Sequence, residues 1–298
     1  MQIAWIFPGQ GSQKIGMAKD VIKLEDAKRR FEYASNVFNK DLYRICEEQS
    51  KIKNQENDLN NTRNTQICLF LVESILLDSL KKNGFQASYF AGHSLGEITA
   101  LYAADVLNLE DCVSLINVRS ELMANAKEGS MAALIGFDRD EVNNIVATID
   151  DVVIANDNSS SQIVLSGTES ALENISNLIQ CKRFIKLNVS GAFHSHLMEE
   201  PSLKFVKYLQ QLNFNNASLP VISNSNPTFS TDAGELKKRL EKQMCNGVRW
   251  RETMDLMNID KPLHIVEIGP SNVLGGIAKR YLKDVKISQV SDSDNLSY

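Results

Sequence analysis

One short segment has the residue types of a nucleophilic catalyst. Residues 92–96 read Gly-His-Ser-Leu-Gly and fit G-x-S-x-G, in which a sharp strand-to-helix turn exposes a serine hydroxyl. The flanking glycines let the backbone bend, and the amide of Leu95 can help hold a developing oxyanion at the helix N-terminus. A pattern of five residues also arises by chance, so its weight depends on a strand before it and a helix after it. We predict that Ser94 is a nucleophile.

A serine hydroxyl needs a base to take its proton, and the chain has four histidines. His93 is adjacent to Ser94 and is expected to point away from its side chain. His264 lies in an apolar stretch and is expected to be a core residue. His194 and His196 follow the last strand predicted for the middle of the chain. One of these two is the predicted base.

The pair of His194 and His196 has a second interpretation as a metal site, with Glu199 or Glu200 as a third ligand. Imidazole and carboxylate groups suit several divalent metals. A metal would not account for the nucleophile pattern around Ser94, so we expect no metal here.

These residues do not identify the group that orients the base. An α/β-hydrolase would place an acid between the serine and the histidine in chain order. Several aspartates lie in that interval, Asp157 among them, and none has a context that singles it out. A neutral acceptor such as a backbone carbonyl could orient the histidine instead.

A glycine-rich loop follows the first apolar run, where residues 7–13 read Phe-Pro-Gly-Gln-Gly-Ser-Gln. The loop lacks the Lys-Ser/Thr ending of a P-loop, and the third glycine of G-x-G-x-x-G would fall at Lys14. Nucleotide binding is therefore disfavoured. We expect a loop at a strand end that presents backbone amides beside Ser94, with Gln10 as the second oxyanion donor.

Arg119 lies on a helix that is predicted to begin near Glu110. One interpretation is a surface arginine paired with Glu121 or Asp111. The other is a guanidinium turned into the active cleft, where its planar fork could bind a substrate carboxylate through two hydrogen bonds. Spacing alone does not decide between them.

The elements that must position these residues alternate between strand and helix at both ends of the chain. Between them, residues 129–192 follow the order βαββαβ, which is the ferredoxin-like pattern. We predict an α/β fold with a body of residues 1–128 and 193–298 and an inserted subdomain of residues 129–192. The predicted strands are 3–7, 88–91, 131–137, 152–155, 162–166, 183–187, 219–223 and 263–268. The predicted helices are 64–83, a segment after Ser94, 138–149, 168–180, 196–211, 235–243, 251–258 and one after Pro270, and the tail after Val290 is expected to be frayed.

The composition is that of a globular, enzyme-sized protein, with 43% hydrophobic and 23% charged residues in 298. A formal net charge of -5 gives no general attraction to nucleic acid or to anionic membranes, and no apolar run approaches the roughly 18 residues of a spanning helix. Five widely spaced cysteines without a C-x-x-C pair indicate free thiols in a reducing compartment. We expect a cytoplasmic protein, or a plastid stromal one if a transit peptide has been removed.

Taken together, the motifs resemble those of the malonyl-CoA:acyl carrier protein transacylase family, which is similar to the acyltransferase domains of polyketide synthases. The resemblance spans nearly the whole chain in the right order. Four positions depart from the common pattern and concern the shape of the pocket, namely Ile98, Ser120, Ser160 and Gly247. The segments that carry the resemblance are 7–13, 92–97, Arg119 with Leu122 and Met123, 191–195, and Gln243 through Val248 and Trp250.

The resemblance implies an α/β-hydrolase-like body with a parallel sheet and a ferredoxin-like insert. It also implies a double displacement in which malonyl-CoA loads a serine and the phosphopantetheine thiol of acyl carrier protein unloads it, without a metal or a redox cofactor. The implied roles are nucleophile for Ser94, base for His194, oxyanion amides for Gln10 and Leu95, carboxylate binding for Arg119, and a carbonyl that orients the histidine for Gln243.

Three other functions are open from the sequence. A thioesterase or esterase of similar fold would use water rather than a thiol to resolve the acyl-serine. A polyketide synthase acyltransferase acting in trans would use the same chemistry in another pathway. A catalytically silent module that binds a carrier protein is the third, and the set of serine, histidine, glutamine and arginine argues against it.

Overall fold

The computed structural model describes residues 2–49, 56–126, 129–189, 191–260, 264–296 and 298. Its strands are β1 (Ile3–Phe7), β2 (Tyr89–Gly92), β3 (Ser130–Phe137), β4 (Val152–Ser159), β5 (Gln162–Gly167), β6 (Cys181–Lys186), β7 (Val221–Ile222), β8 (Phe229–Ser230), β9 (His264–Ile268) and β10 (Lys286–Val290). Its helices are α1 (Ala27–Phe38), α2 (Leu42–Glu47), α3 (Thr62–Lys82), α4 (Leu95–Ala103), α5 (Leu109–Ala124), α6 (Arg139–Val146), α7 (Glu169–Leu178), α8 (Glu199–Leu209), α9 (Ala233–Glu241), α10 (Trp250–Asp260) and α11 (Val273–Tyr281).

The body is built on a six-stranded sheet with the order β10-β9-β1-β2-β7-β8. Strands β10 through β7 pair in parallel, and β8 runs antiparallel to β7. Strand β1 is an apolar run, as expected for a parallel strand covered on both faces. Phe7 at the end of β1 is paired with Gly92 at the end of β2. The loop after β1 and the turn after β2 therefore lie side by side.

The insert is a four-stranded antiparallel sheet with the order β4-β5-β3-β6. With α6 and α7 between its strands, this is the ferredoxin-like arrangement. One face packs apolar side chains such as Leu134 and Ile163 together with residues of both helices, including Val142 and Ile175. The predicted fold class is confirmed, whereas the boundaries of the insert at 129 and 192 stay a prediction.

Strand β4 connects the insert to the body. The amide of Asp157 donates to the carbonyl of Val248 at 2.9 Å, and the amide of Val248 donates to the carbonyl of Ala155 at 2.8 Å. The carboxylate of Asp157 also pairs with Arg139 of α6 and Arg251 of α10. The segment before α10 is thereby held against the insert.

The long helix α3 runs through the core of the body. It is buried on nearly all sides, which is typical of a helix enclosed by other elements. Asn61 caps it by accepting a hydrogen bond from the amide of Arg63 at 3.1 Å. The helix packs chiefly against α4 and α5 inside the body.

Most predicted elements are present, with several differences. No element was predicted at the positions of α1, α2, β8 and β10, and the strand predicted at 219–223 is limited to Val221–Ile222. The helix predicted from 196 begins with a 3-10 turn, His196–Met198, before α8. Position 263, the first of another predicted strand, lies outside the described residues.

The end of the chain packs back onto the body. The hydroxyl of Tyr298 accepts a hydrogen bond from Nε1 of Trp5 at 3.0 Å, and its ring contacts those of Phe85 and His264. The prediction of a frayed tail is therefore wrong for Tyr298.

Two further predictions concern the chain as a whole. All five cysteines are free, and Cys46, Cys68 and Cys112 are buried. In the part of the chain that the structure describes, no helix has the length and apolar character needed to span a bilayer.

Candidate active site

Ser94 occupies a sharp turn between β2 and α4. Its φ of 52° and ψ of -106° are unusual for a residue with a side chain, and such strain is common at functional sites. The turn needs glycine on both sides. A Cβ atom at position 96 would lie 2.1 Å from the carbonyl oxygen of Phe7, and one at position 92 would lie 1.9 Å from Gly96. The motif thus exists because strand and helix approach each other at backbone distance.

Asn224, which directly follows the short strand β7 and Ser223, fixes this turn. Its Oδ1 accepts a hydrogen bond from the amide of Ser94 at 2.7 Å, and its Nδ2 donates to the carbonyl of Gly92 at 2.5 Å. The side chain is 2% exposed. Sequence reasoning missed Asn224. A polar residue just after a buried strand next to β2 is a pattern that could have indicated a site residue.

His194 lies beside the serine. Its Nε2 is 2.8 Å from Oγ of Ser94, and its Nδ1 is 2.8 Å from the carbonyl oxygen of Gln243 and 3.2 Å from that of Asn246. Carbonyl oxygens only accept, so Nδ1 carries the proton and Nε2 is free to accept the serine proton. The Nδ1 atom is thus in contact with neutral carbonyls, while the carboxylate of Asp157 pairs with Arg139 and Arg251.

The surroundings of His194 keep its ring neutral. Burial, followed by the positive charge of Arg119, lowers the pKa of His194 to about 3, and the hydrogen bond to Gln243 opposes this shift. A neutral imidazole is the form that can take a proton from Ser94.

The other histidines are turned elsewhere. His196 is exposed and its Nε2 lies 3.2 Å from a carboxylate oxygen of Asp151. His93 Nε2 lies 2.9 Å from Oδ1 of Asn158, and His264 Nε2 lies 2.7 Å from the hydroxyl of Ser288. Among the described residues, no group of three or more His, Cys, Asp or Glu side chains could hold a metal ion.

Arg119 reaches the same serine from helix α5. Its Nη2 donates to Oγ of Ser94 at 3.1 Å, its Nη1 donates to Oε1 of Gln66 at 2.6 Å, and both Nε and Nη2 donate to Oε1 of Gln243 at 3.2 and 2.9 Å. The surface interpretation is wrong, since Arg119 is 1% exposed and Glu121 pairs with Arg63.

All of these acceptors of Arg119 are neutral oxygens. Burial lowers the pKa of Arg119 to about 10, while the charge of Glu97 opposes the shift, so the guanidinium is still charged at neutral pH. A buried cation with only neutral acceptors in direct contact favours the entry of an anion. The site is therefore suited to an acyl group that ends in a carboxylate.

The two proposed oxyanion donors face a common cavity. Leu95 is the first residue of α4, where backbone amides have no acceptor within the helix. Gln10 lies in the loop after β1, which is held close because the amide of His93 donates to the carbonyl of Phe7 at 2.9 Å. The cavity, of about 80 Å³, is lined by Gln10, Gln66, His93, Ser94, Leu95, Arg119, Met123, Met131, Asn156, Leu187, Val189, Phe193 and His194.

None of the four positions that depart from the family pattern lines this cavity. Ile98 and Ser120 are buried, and Ser160 is exposed in the turn between β4 and β5. A Cβ atom at position 247 would lie 2.7 Å from the carbonyl oxygen of Ile154, so a larger residue would push β4 away. Gly247 therefore fits the contact between body and insert.

Comparisons with known proteins extend over the whole chain. The acyl transferase domain family matches residues 4–293. A malonyl CoA-acyl carrier protein transacylase of Synechocystis sp. is 40% identical over 297 residues, which cover 100% of this chain and 99% of that protein. The crystal structure of a Synechocystis malonyl-CoA:ACP transacylase has a TM-score of 0.94 at 40% identity, covering 99% of each chain. A malonyl-transacylase solved in complex with a type II polyketide synthase acyl-carrier protein has a TM-score of 0.92 at 30% identity, covering 99% of this chain and 98% of that one.

Proposed function

The chain belongs to the acyltransferase family of malonyl-CoA:acyl carrier protein transacylases, and we propose that Ser94 carries the malonyl group between two thiols. The donor is malonyl-CoA and the acceptor is the phosphopantetheine thiol of acyl carrier protein. The product supplies malonyl units for fatty acid chain elongation. The observation that carries the proposal is that one hydroxyl, that of Ser94, contacts both a neutral imidazole and a buried guanidinium.

The first half-reaction forms an ester. Nε2 of His194 takes the hydroxyl proton of Ser94 while Oγ of Ser94 attacks the thioester carbonyl of malonyl-CoA. The resulting oxyanion lies against the amides of Gln10 and Leu95. When the intermediate collapses, the carbon–sulfur bond breaks, and the sulfur of coenzyme A leaves with the proton that His194 held.

The second half-reaction reverses these steps with another thiol. The phosphopantetheine thiol gives its proton to His194 and attacks the ester carbonyl. The same two amides hold the second oxyanion, and Ser94 regains its proton when the ester bond breaks. Every step is a proton transfer or an acyl transfer, so the scheme requires neither a metal nor a redox cofactor.

Arg119 supplies selectivity in this scheme. Its guanidinium lies 3.1 Å from Oγ of Ser94, so it can reach the free carboxylate of a malonyl group attached there. A malonyl group would exchange neutral acceptors for a charged one, which makes stronger hydrogen bonds. An acetyl group would leave the buried cation without an anion, which is the unfavourable case.

Intact-mass measurement tests the proposal. After mixing with malonyl-CoA, the mass should rise by one malonyl group, and Ser94→Ala should abolish the gain. Added acyl carrier protein should then remove the group and carry it. A malonylated Ser94→Ala protein would assign the ester to another residue, and release of free malonate in place of malonyl-carrier would identify a thioesterase.

The location is a proposal as well. The relatives in Synechocystis and Staphylococcus aureus are bacterial, which agrees with a cytoplasmic enzyme. The net charge of -5 gives no support for a nucleic acid partner.

A further inference from the structure

The side chain of Gln243 has both ends committed to charged groups. Its Oε1 accepts from Nη2 of Arg119 at 2.9 Å. Its Nε2 donates to Oε2 of Glu97 at 2.7 Å and to the carbonyl of Ser94 at 2.9 Å. Because one end of the amide only accepts and the other only donates, this orientation matches the cation on one side and the carboxylate on the other.

Glu97 is a buried acid with no part in the proposed chemistry. It lies on α4 three residues after Ser94 and is 1% exposed. Burial raises its pKa, while the hydrogen bond from Gln243 and the charge of Arg119 oppose that shift. In turn, the charge of Glu97 opposes the effect of burial on the pKa of Arg119. The two residues therefore act on each other across the Gln243 amide.

We propose that Glu97 is the counter-charge of Arg119 and that, through Gln243, it limits how tightly the pocket holds a carboxylate-bearing acyl group. With Glu97 ionised, the buried site without substrate holds one charge of each sign. A malonyl group brings a second negative charge, which Glu97 repels across the Gln243 amide in a medium of low dielectric. Glu97 is thus a positioning residue that sets specificity, and this inference depends on the proposed role of Arg119.

A second buried acid provides a matched control. Glu73 of α3 is fully buried and accepts a hydrogen bond from Thr99, also on α4, at 2.6 Å. Its Oε1 has no hydrogen-bond partner among the described residues, and no hydrogen bond or ion pair in the structure joins it to Arg119 or Gln243. Glu73→Gln therefore replaces a buried acidic side chain beside the same helix without touching the link between Glu97 and Arg119.

The first experiment measures loading of Ser94 by intact mass over a range of malonyl-CoA and acetyl-CoA concentrations. Glu97→Gln should lower the half-saturating malonyl-CoA concentration by roughly three- to tenfold, since tenfold corresponds to about 1.4 kcal/mol. Acetyl loading should keep its wild-type concentration dependence, and Glu73→Gln should leave both unchanged. The inference would be overturned if Glu97→Gln left the half-saturating malonyl-CoA concentration unchanged, or if it changed the half-saturating concentrations of malonyl-CoA and acetyl-CoA equally.

A second experiment addresses folding, because Glu97→Gln leaves the Arg119 cation buried without its counter-charge. Thermal unfolding should therefore give a lower Tm for Glu97→Gln, and the double variant with Arg119→Met should recover part of the loss. Additive losses would contradict the link between the two residues. This cycle needs no substrate, so it separates a failure of the inference from a failure of wild-type protein to take up malonyl.

Discussion

Nε2 of His194 lies 2.8 Å from Oγ of Ser94, although 100 positions separate the two residues in the chain. The serine follows β2 of the parallel sheet, whereas the histidine follows β6 of the insert. The contact between His194 and Ser94 therefore requires the insert to pack against the body. The hydrogen bonds between β4 and Val248 contribute to this, since they hold the segment that also presents the Gln243 carbonyl to His194.

The lowered pKa of His194 predicts a pH-dependent stability. The pKa falls from an ordinary 6.5 to about 3 in the folded protein, so between these values the unfolded chain binds more protons. The contribution of His194 to the free energy of unfolding is fully present above pH 6.5 and is lost as the pH falls below that value. The free energy of unfolding should drop by about 2 kcal/mol from this group between pH 7 and pH 5.

Urea unfolding of wild type and His194→Asn at both pH values measures this contribution. The difference between the two proteins isolates the histidine from buried acids such as Glu267, whose pKa burial raises to about 7 and whose effect has the opposite sign. Wild type should lose more stability than the variant on acidification. Parallel losses would mean that His194 titrates near its ordinary value.

Replacing Arg119 should change the choice of acyl group. Arg119→Ala removes the cation that contacts Ser94, so malonyl loading should fall by at least about a hundredfold, while acetyl is better tolerated than in wild type. Arg119→Lys is the informative control, because it keeps the charge and loses the planar fork. Loading rates with both thioesters check this, and an equal loss for both would assign Arg119 to structure.

The sequence around Ser94 was sufficient to predict the turn that carries this residue, because the glycines that permit the turn are close to it in the chain. An apolar strand, two glycines and a following helix predict the turn at Ser94, because α4 lies too close to β2 for a Cβ at position 92 and too close to the end of β1 for a Cβ at position 96. The βαββαβ order likewise predicts the insert. Strand β10 was missed because Lys286–Val290 mixes polar and apolar residues at the edge of the sheet, where burial is partial.

The site residues that sequence reasoning missed were missed for a different reason. Gln66, Glu97 and Asn224 are single polar residues in buried segments, and their partners are distant in sequence. Periodicity reports which face of an element is apolar, but it does not report which polar side chain will meet a partner across the core. The contact of the Gln243 carbonyl with His194 was expected only through resemblance to a family, since any backbone carbonyl has the same chemistry.

Asn224 should be needed for the geometry of Ser94, the proposed nucleophile. Asn224→Ala removes hydrogen bonds to the amide of Ser94 and the carbonyl of Gly92, so the free energy of unfolding should fall by about 1–3 kcal/mol. Because Ser94 has an unusual backbone conformation, its malonylation rate should fall about tenfold to a hundredfold. Asn226→Ala, at an exposed position two residues on, is the control and should match wild type in both measurements. Wild-type malonylation by Asn224→Ala would show that the turn keeps its shape unaided.

Gly96 should tolerate no side chain. A Cβ atom there would lie 2.1 Å from the carbonyl oxygen of Phe7, and both are backbone positions that cannot move independently of strand and helix. Gly96→Ala should lower the free energy of unfolding by about 3 kcal/mol, the upper range for overpacking, and should abolish malonyl loading in the fraction that folds.

Gly276→Ala is the matched control within a helix. A Cβ atom at that position in α11 would meet only the end of the Arg280 side chain, at 3.8 Å. Since alanine is the better helix former, this variant should be neutral or more stable by up to about 1 kcal/mol, with wild-type loading. Chemical unfolding and intact mass compare the two variants. If Gly96→Ala loads malonyl as the control does, strand and helix can separate without displacing Ser94, and the close approach does not shape the nucleophile.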